Sequence, residues 1–321
     1  SSVAMWGYSG FLALIYLACG VVPEVGIVFN TLLAYIFCLL CYRLFIISGI
    51  SAQRSLQGLI IILFSPGIWM WSSLLYKESL LFSVVMACTL TIVRLVGEFK
   101  YGRLLVVIIL LVLLLPLRYA YILPLIVLLV VSSIFLSSGS IKKISFNLLM
   151  SVGIAITVMS VQAQYNLINF PATVASETQS LPPTMLSTTE YHLSLEPAGG
   201  YFMSHGIGSN RPSLSNFWYT LPARAVYILI VPMPWFGGDS THEKFDYIIG
   251  HFDSAYNITL VIAFCVMVLM AKSIENKPTR IQIILPIIGL LYFAMPLFLY
   301  HPGPRYVSIA IPFIMPHILL L

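Results

Sequence analysis

The sequence predicts an all-α polytopic membrane protein with about 9–11 transmembrane or re-entrant helices and one sizeable external loop. Three observations predict it. Hydrophobic residues make up 60% of the 321 and charged residues 8%, with a mean hydropathy of +0.98, a balance that excludes a water-solvated domain. Apolar runs of about 17 to 25 residues recur along the chain, the length a helix needs to cross the hydrocarbon core. Lysines and arginines fall on alternate connections, as a single threading through a bilayer requires.

Taken in order, the apolar runs lie at 25–47, 56–76, 79–96, 104–118, 121–138, 144–163, 257–273, 282–300 and 306–321. An earlier stretch, 5–22, reads either as a span or as a helix in the membrane interface. Residues 104–138 form a hairpin of two short spans broken at Pro116-Leu117-Arg118. The segment 221–240 carries Pro222, Pro232 and Pro234; it reads as a re-entrant or interfacial piece, tolerated where protein or water satisfies its backbone. One integral membrane domain results, in three parts: transmembrane helices over 1–163, an external loop with the re-entrant segment over 164–256, and C-terminal helices over 257–321.

Orientation follows from the basic residues. Ten of the sixteen (Arg43, Arg54, Arg94, Lys100, Arg103, Lys142, Lys143, Lys272, Lys277 and Arg280) fall on one set of connections, which is read as cytoplasmic. Nine of the eleven acids then lie on the other face, together with five of the six histidines. A charge kept near a bilayer is costly, so those that persist are functional candidates. The formal charge of +5 is mostly accounted for by the cytoplasmic connections, and no nucleic-acid partner is expected. The five cysteines all sit in apolar runs and read as small buried hydrophobes. The chain opens Ser1-Ser2 with no charged leader, so no signal peptide is recognised, and a natural N-terminal segment is expected to be missing.

Four groups of residues could carry chemistry on the non-cytoplasmic face. Pro66 and Gly67 interrupt the span that leads to Lys77 and Glu78. Lys77 is a candidate phosphate ligand and Glu78 a candidate acid–base carboxylate; the bland reading is an aromatic belt with a solvated pair opening the next helix. Arg118 follows a proline in a tight turn with Tyr119 and Tyr121. Its planar fork suits phosphate, against the plainer reading of a snorkelling arginine. Arg305 sits in His301-Pro302-Gly303-Pro304-Arg305-Tyr306, where the prolines fix the backbone and so hold the arginine in place. The fourth group is Asp239, His242, Glu243, Asp246, His251 and Asp253. It offers a general base for a sugar hydroxyl, or carboxylates for a divalent cation, though a solvated loop is the commoner explanation. No zinc spacing occurs in it. His205, Arg211 and Arg224 are weaker candidates of the same kind. No Walker loop, GxSxG motif or dinucleotide fingerprint is found.

The run from Ser65 through Pro66, Trp69, Trp71, Ser72 and Ser73 to Lys77 and Glu78 resembles a segment of bacterial polytopic glycosyltransferases of the C fold. Leu115-Pro116-Leu117-Arg118-Tyr119 is similar to their arginine-bearing hairpin, Pro232-Met233-Pro234-Trp235 to their Pro-Phe-Pro-Trp element, and Pro304-Arg305-Tyr306 to their closing Arg-Tyr. Order and spacing fit from about residue 8 to the end; each motif alone is weak. The resemblance implies a GT-C-like fold and an inverting transferase at the outer face of the bacterial inner membrane. Its donor is a polyprenyl-phosphate-linked sugar or glycan, and its acceptor a glycan, lipid or protein of the cell envelope. Lys77, Arg118 and Arg305 would bind the phosphate, with Glu78, Asp239 or Glu243 as the carboxylate. The family keeps a catalytic acid just after its first span, whereas here no acid precedes Glu24. That role falls upstream of Ser1 or to another carboxylate. A repeat-unit polymerase or ligase is a close variant, and a lipid-linked glycan transporter or non-catalytic subunit a more distant one.

Overall fold

The computed structural model describes residues 3–73, 77–118, 121–135, 145, 149–154, 156–157, 160, 252, 255–266, 279–294 and 308–319. Among these residues the chain is almost wholly α-helical and contains no strand. The helices are α1 (Val3–Cys19), α2 (Pro23–Ile47), α3 (Ala52–Leu63), α4 (Pro66–Ser73), α5 (Glu78–Gly97), α6 (Tyr101–Arg118) and α7 (Ile122–Phe135). Later come α8 (Ala255–Val266), α9 (Arg280–Ala294) and α10 (Ile311–Ile318). Three of them, α2, α5 and α6, are long and apolar enough to cross a membrane.

Local chemistry sets the helix ends. Pro23 opens α2, where its missing N–H costs nothing. The helix closes on Gly49, whose φ of +86° is left-handed. There Gly49 N donates to Ile46 O at 3.0 Å and Ile50 N to Phe45 O at 3.1 Å, the paired bonds of a Schellman stop. Ser51 caps α3, accepting from Arg54 N at 3.4 Å. A reciprocal capping box starts α9: Thr279 N donates to Gln282 Oε1 at 2.7 Å and Gln282 N to Thr279 Oγ1 at 3.3 Å.

The span expected at 56–76 divides into α3 and α4 at Ser65-Pro66. Proline cannot donate to the preceding turn, so the carbonyls there need other partners. Ile62 O, which Pro66 cannot serve, accepts from Ser65 N at 3.0 Å, while the Trp69 indole N–H takes Leu63 O and the Tyr256 hydroxyl donates to Ile61 O at 2.6 Å. Helix α6 runs through Pro116 and ends at Arg118, where the hairpin break was expected.

Helix α5 is the centre of the packing. In its span window 72% of residues are buried, against 28% for α2 and for α6, and it packs against α2, α4, α6 and α7. It is apolar on every side, as a helix enclosed by other helices must be. Its hydroxyls donate to main-chain carbonyls: Thr89 to Val85 O at 2.9 Å, while the Ser83 proton is shared between Ser79 O at 2.9 Å and Leu33 O of α2 at 2.7 Å.

Among the described residues, Arg54 and Arg280, both on connections read as cytoplasmic, tie helix ends together at one end of the bundle. Arg54 Nη1 donates to Leu319 O at 3.0 Å, Thr279 Oγ1 to Ser48 O at 3.0 Å, and Arg280 Nη1 to Phe135 O at 2.9 Å. The α5–α6 turn carries its own ion pairs, with Glu98 lying 2.8 Å from Lys100 and 3.0 Å from Arg103. Lys100 first and Arg103 second hold the Glu98 carboxyl below the usual carboxylate range.

Candidate functional site

Helices α5 and α6 form an antiparallel pair joined by a short turn, so the start of one and the end of the other share a level. That geometry brings Lys77, Glu78 and Arg118 to the end of the bundle away from Glu98, Lys100 and Arg103. Lys77 and Arg118 are half-buried, and Glu78 is buried, with 3% of its surface exposed. Glu78 at the start of α5 and Arg118 at the end of α6 each complement the local helix dipole. Lys77, at the N-cap of α5, does not; its charge and the helix N-terminus together favour an anion.

Two further residues meet this group. Helix α1 docks beside the last turn of α6 through Gly7, where a Cβ would stand 2.8 Å from Pro116 O. This close approach delivers Tyr8, 7% exposed, to the interior. The Tyr8 hydroxyl lies against Asn30 of α2 and within electrostatic range of Glu78. Asn30 is fully buried. Among the described residues, Glu78 Oε2 is buried with no hydrogen-bond partner, a costly state for a carboxylate oxygen.

Below this cluster lies a narrow apolar recess between the helices, lined by the buried side chains of Ala34 and Phe37 of α2, Ile68 of α4, and Ser79 and Phe82 of α5. It continues the same helix faces. Ala34 is four residues beyond Asn30 and Phe82 four beyond Glu78, so each sits one turn below its polar neighbour. The aromatic rings of Phe37 and Phe82 meet across it at 5.8 Å.

Of the sequence candidates, the fold therefore unites Lys77, Glu78 and Arg118 at one end. Asp239, Glu243, His205, Arg211, Arg224, His242, His301, Arg305 and Tyr306 lie outside the described residues. Sequence reasoning missed Tyr8 and Asn30. Asn30 carried a usable signal, since it is the only amide in the apolar run 25–47, and a polar residue inside a span is a candidate by default. Tyr8 carried none, because nothing in a string of apolar residues says which tyrosine turns inward. No group of three or more His, Cys, Asp or Glu suited to a metal occurs among the described residues.

No protein family, curated protein or solved structure matches this chain. The functional reading rests on these residues and on the motifs that carry the resemblance.

Proposed function

We propose that the chain is a membrane glycosyltransferase that moves a sugar or glycan from a polyprenyl-phosphate or diphosphate donor to an acceptor hydroxyl at the external face of a bacterial inner membrane. The observation that carries this reading is the grouping of Lys77, Glu78 and Arg118 at the bundle end opposite Arg54 and Arg280. That end carries two cations and a buried carboxylate.

In this reading the donor is held in the bilayer by its polyprenyl chain, with its phosphate against Lys77, Arg118 and Arg305. The acceptor oxygen attacks the anomeric carbon as the bond from that carbon to the phosphate oxygen breaks. The lipid phosphate departs with the electron pair, and the cations stabilise the charge that develops on it. The acceptor proton passes to a carboxylate, Glu78 among the described residues or Asp239 or Glu243 beyond them. The anomeric carbon inverts. Where the acceptor is itself a lipid-linked glycan, the same steps describe a polymerase or ligase of cell-envelope polysaccharide.

Transfer of a labelled hexose from its polyprenyl phosphate tests this in membranes carrying matched amounts of wild type, Arg118→Ala and Arg305→Ala. A charge-assisted bond to phosphate is worth about 1.5–3 kcal/mol, so each variant is expected to lose roughly 10- to 100-fold of activity. Unimpaired transfer by both variants sinks the phosphate clamp. Absence of transfer by the wild type sinks the enzyme.

A second reading, a lipid-linked glycan transporter, draws on the buried Asn30–Glu78 region, since polar groups inside a bundle are what a translocation path requires. Movement of the labelled lipid between leaflets without formation of a glycosidic bond would favour it.

A further inference from the structure

We propose that Tyr8, Asn30 and Glu78, with the recess one turn below them, form an intramembrane site for a hydroxyl-bearing amphiphile. Glu78 Oε2 accepts a hydrogen bond from the ligand hydroxyl, Asn30 and Tyr8 are positioning residues for the carboxylate, and the narrow recess takes a methyl or methylene group of the adjoining alkyl or isoprenoid chain. This deepens the transferase reading, and rests on it only for the use made of Glu78.

Three observations meet here. A carboxylate oxygen buried without a partner is unstable unless something donates to it, and Glu78 Oε2 is such an oxygen among the described residues. The groups beside it on α1 and α2 are a phenol and an amide, neutral side chains that can orient a carboxylate without neutralising it. The third observation is register. Asn30 and Ala34 share one face of α2, Glu78 and Phe82 share one face of α5, and both faces continue from the polar level into the apolar recess. A polar point directly above an apolar slot suits a ligand that is polar at one end only.

Carbodiimide labelling of the whole protein in nanodiscs tests this without any transfer assay. At mildly acid pH the Glu78 carboxyl adds across a C=N bond of dicyclohexylcarbodiimide, and the adduct remains on the peptide for mass spectrometry. Wild type is expected to be modified at Glu78 by this apolar reagent and not by a water-soluble carbodiimide. Octyl glucoside below its micelle concentration, which carries hydroxyls and a chain, is expected to block the modification. Glucose alone and octane alone are not.

Ala34→Phe, which fills the recess, is expected to keep the modification and lose the protection. In Asn30→Ala the octyl glucoside concentration needed for protection rises roughly tenfold, the worth of one hydrogen bond to a charged group. Absence of modification at Glu78, failure of octyl glucoside to protect, or equal protection by octane overturns the site. Where a variant fails to fold, judged by its melting curve, the wild-type competition decides alone. Protection in a protein that transfers no sugar keeps the site and sinks the transferase. Transfer without protection does the opposite.

Discussion

Arg54 donates through Nη1 to the main-chain carbonyl of Leu319, 3.0 Å away across 265 positions of sequence. The last carbonyls of a helix have no partner within it, and here a guanidinium from the start of α3 satisfies the end of α10. With Thr279 on Ser48 and Arg280 on Phe135, it draws α2, α3, α7, α9 and α10 together at one end.

Removal of that tie is expected to destabilise the bundle. Arg54→Ala should lower stability by about 1–3 kcal/mol, the range for a bond between a charged donor and a carbonyl that is left unpartnered. Thermal unfolding in detergent reads it, and Arg54→Lys should recover part of the loss. A melting point unchanged in Arg54→Ala would show that the contact contributes nothing.

The capping box of α9 makes a separate prediction. Thr279→Ala removes the acceptor for Gln282 N and the donor to Ser48 O, at an expected cost of about 0.5–2 kcal/mol. Thr279→Ser keeps both bonds and should behave as wild type in the same melt.

Gly7 has a matched control three residues away. A side chain at Gly7 meets the backbone of Pro116 at 2.8 Å, whereas one at Gly10 meets nothing within 4 Å. Gly7→Val is therefore expected to push α1 off α6, at a cost of about 1–3 kcal/mol for overpacking. Gly10→Ala should be neutral or stabilising, since alanine favours the helix by about 1 kcal/mol. Equal melting points for the two variants would contradict the docking of α1.

The Glu98 turn responds to acid. Its carboxyl is held below the usual range in the fold, by Lys100 foremost and then Arg103. Its stabilising effect is therefore complete above the unfolded value of about 4.3 and fades as pH falls through the lower folded value. Glu98→Gln should flatten the acid limb of the stability profile while leaving stability at neutral pH only slightly lower, because the pair is exposed. An acid limb identical to that of wild type would count against the linkage.

The two ends of the bundle should also differ in access. In a background with the exposed Cys19 and Cys265 replaced by serine, Lys100→Cys and Lys77→Cys are expected to react with an impermeant thiol reagent from opposite sides of sealed vesicles. Reaction of both from the same side would overturn the threading.

Much of this architecture was legible in the chain itself. The starts of α2 and α5 fall within two residues of the runs expected at 25–47 and 79–96, because apolar length alone marks a span. Among the described residues, Arg54 and Arg280 share an end of the bundle. The break at Pro66 was legible as an interruption. Its repair by Trp69 and by Tyr256, the latter 195 residues away from the carbonyl it serves, was not.

The sequence by itself determined that the chain is helical and carries stretches long and apolar enough to cross a membrane, since hydropathy acts locally on each segment. Only the tertiary structure decided that Tyr8, Asn30 and Glu78 meet above an apolar recess. Helices apolar all round have no polar face to fix their rotation, so which side chains turn inward depends on how α1, α2 and α5 pack.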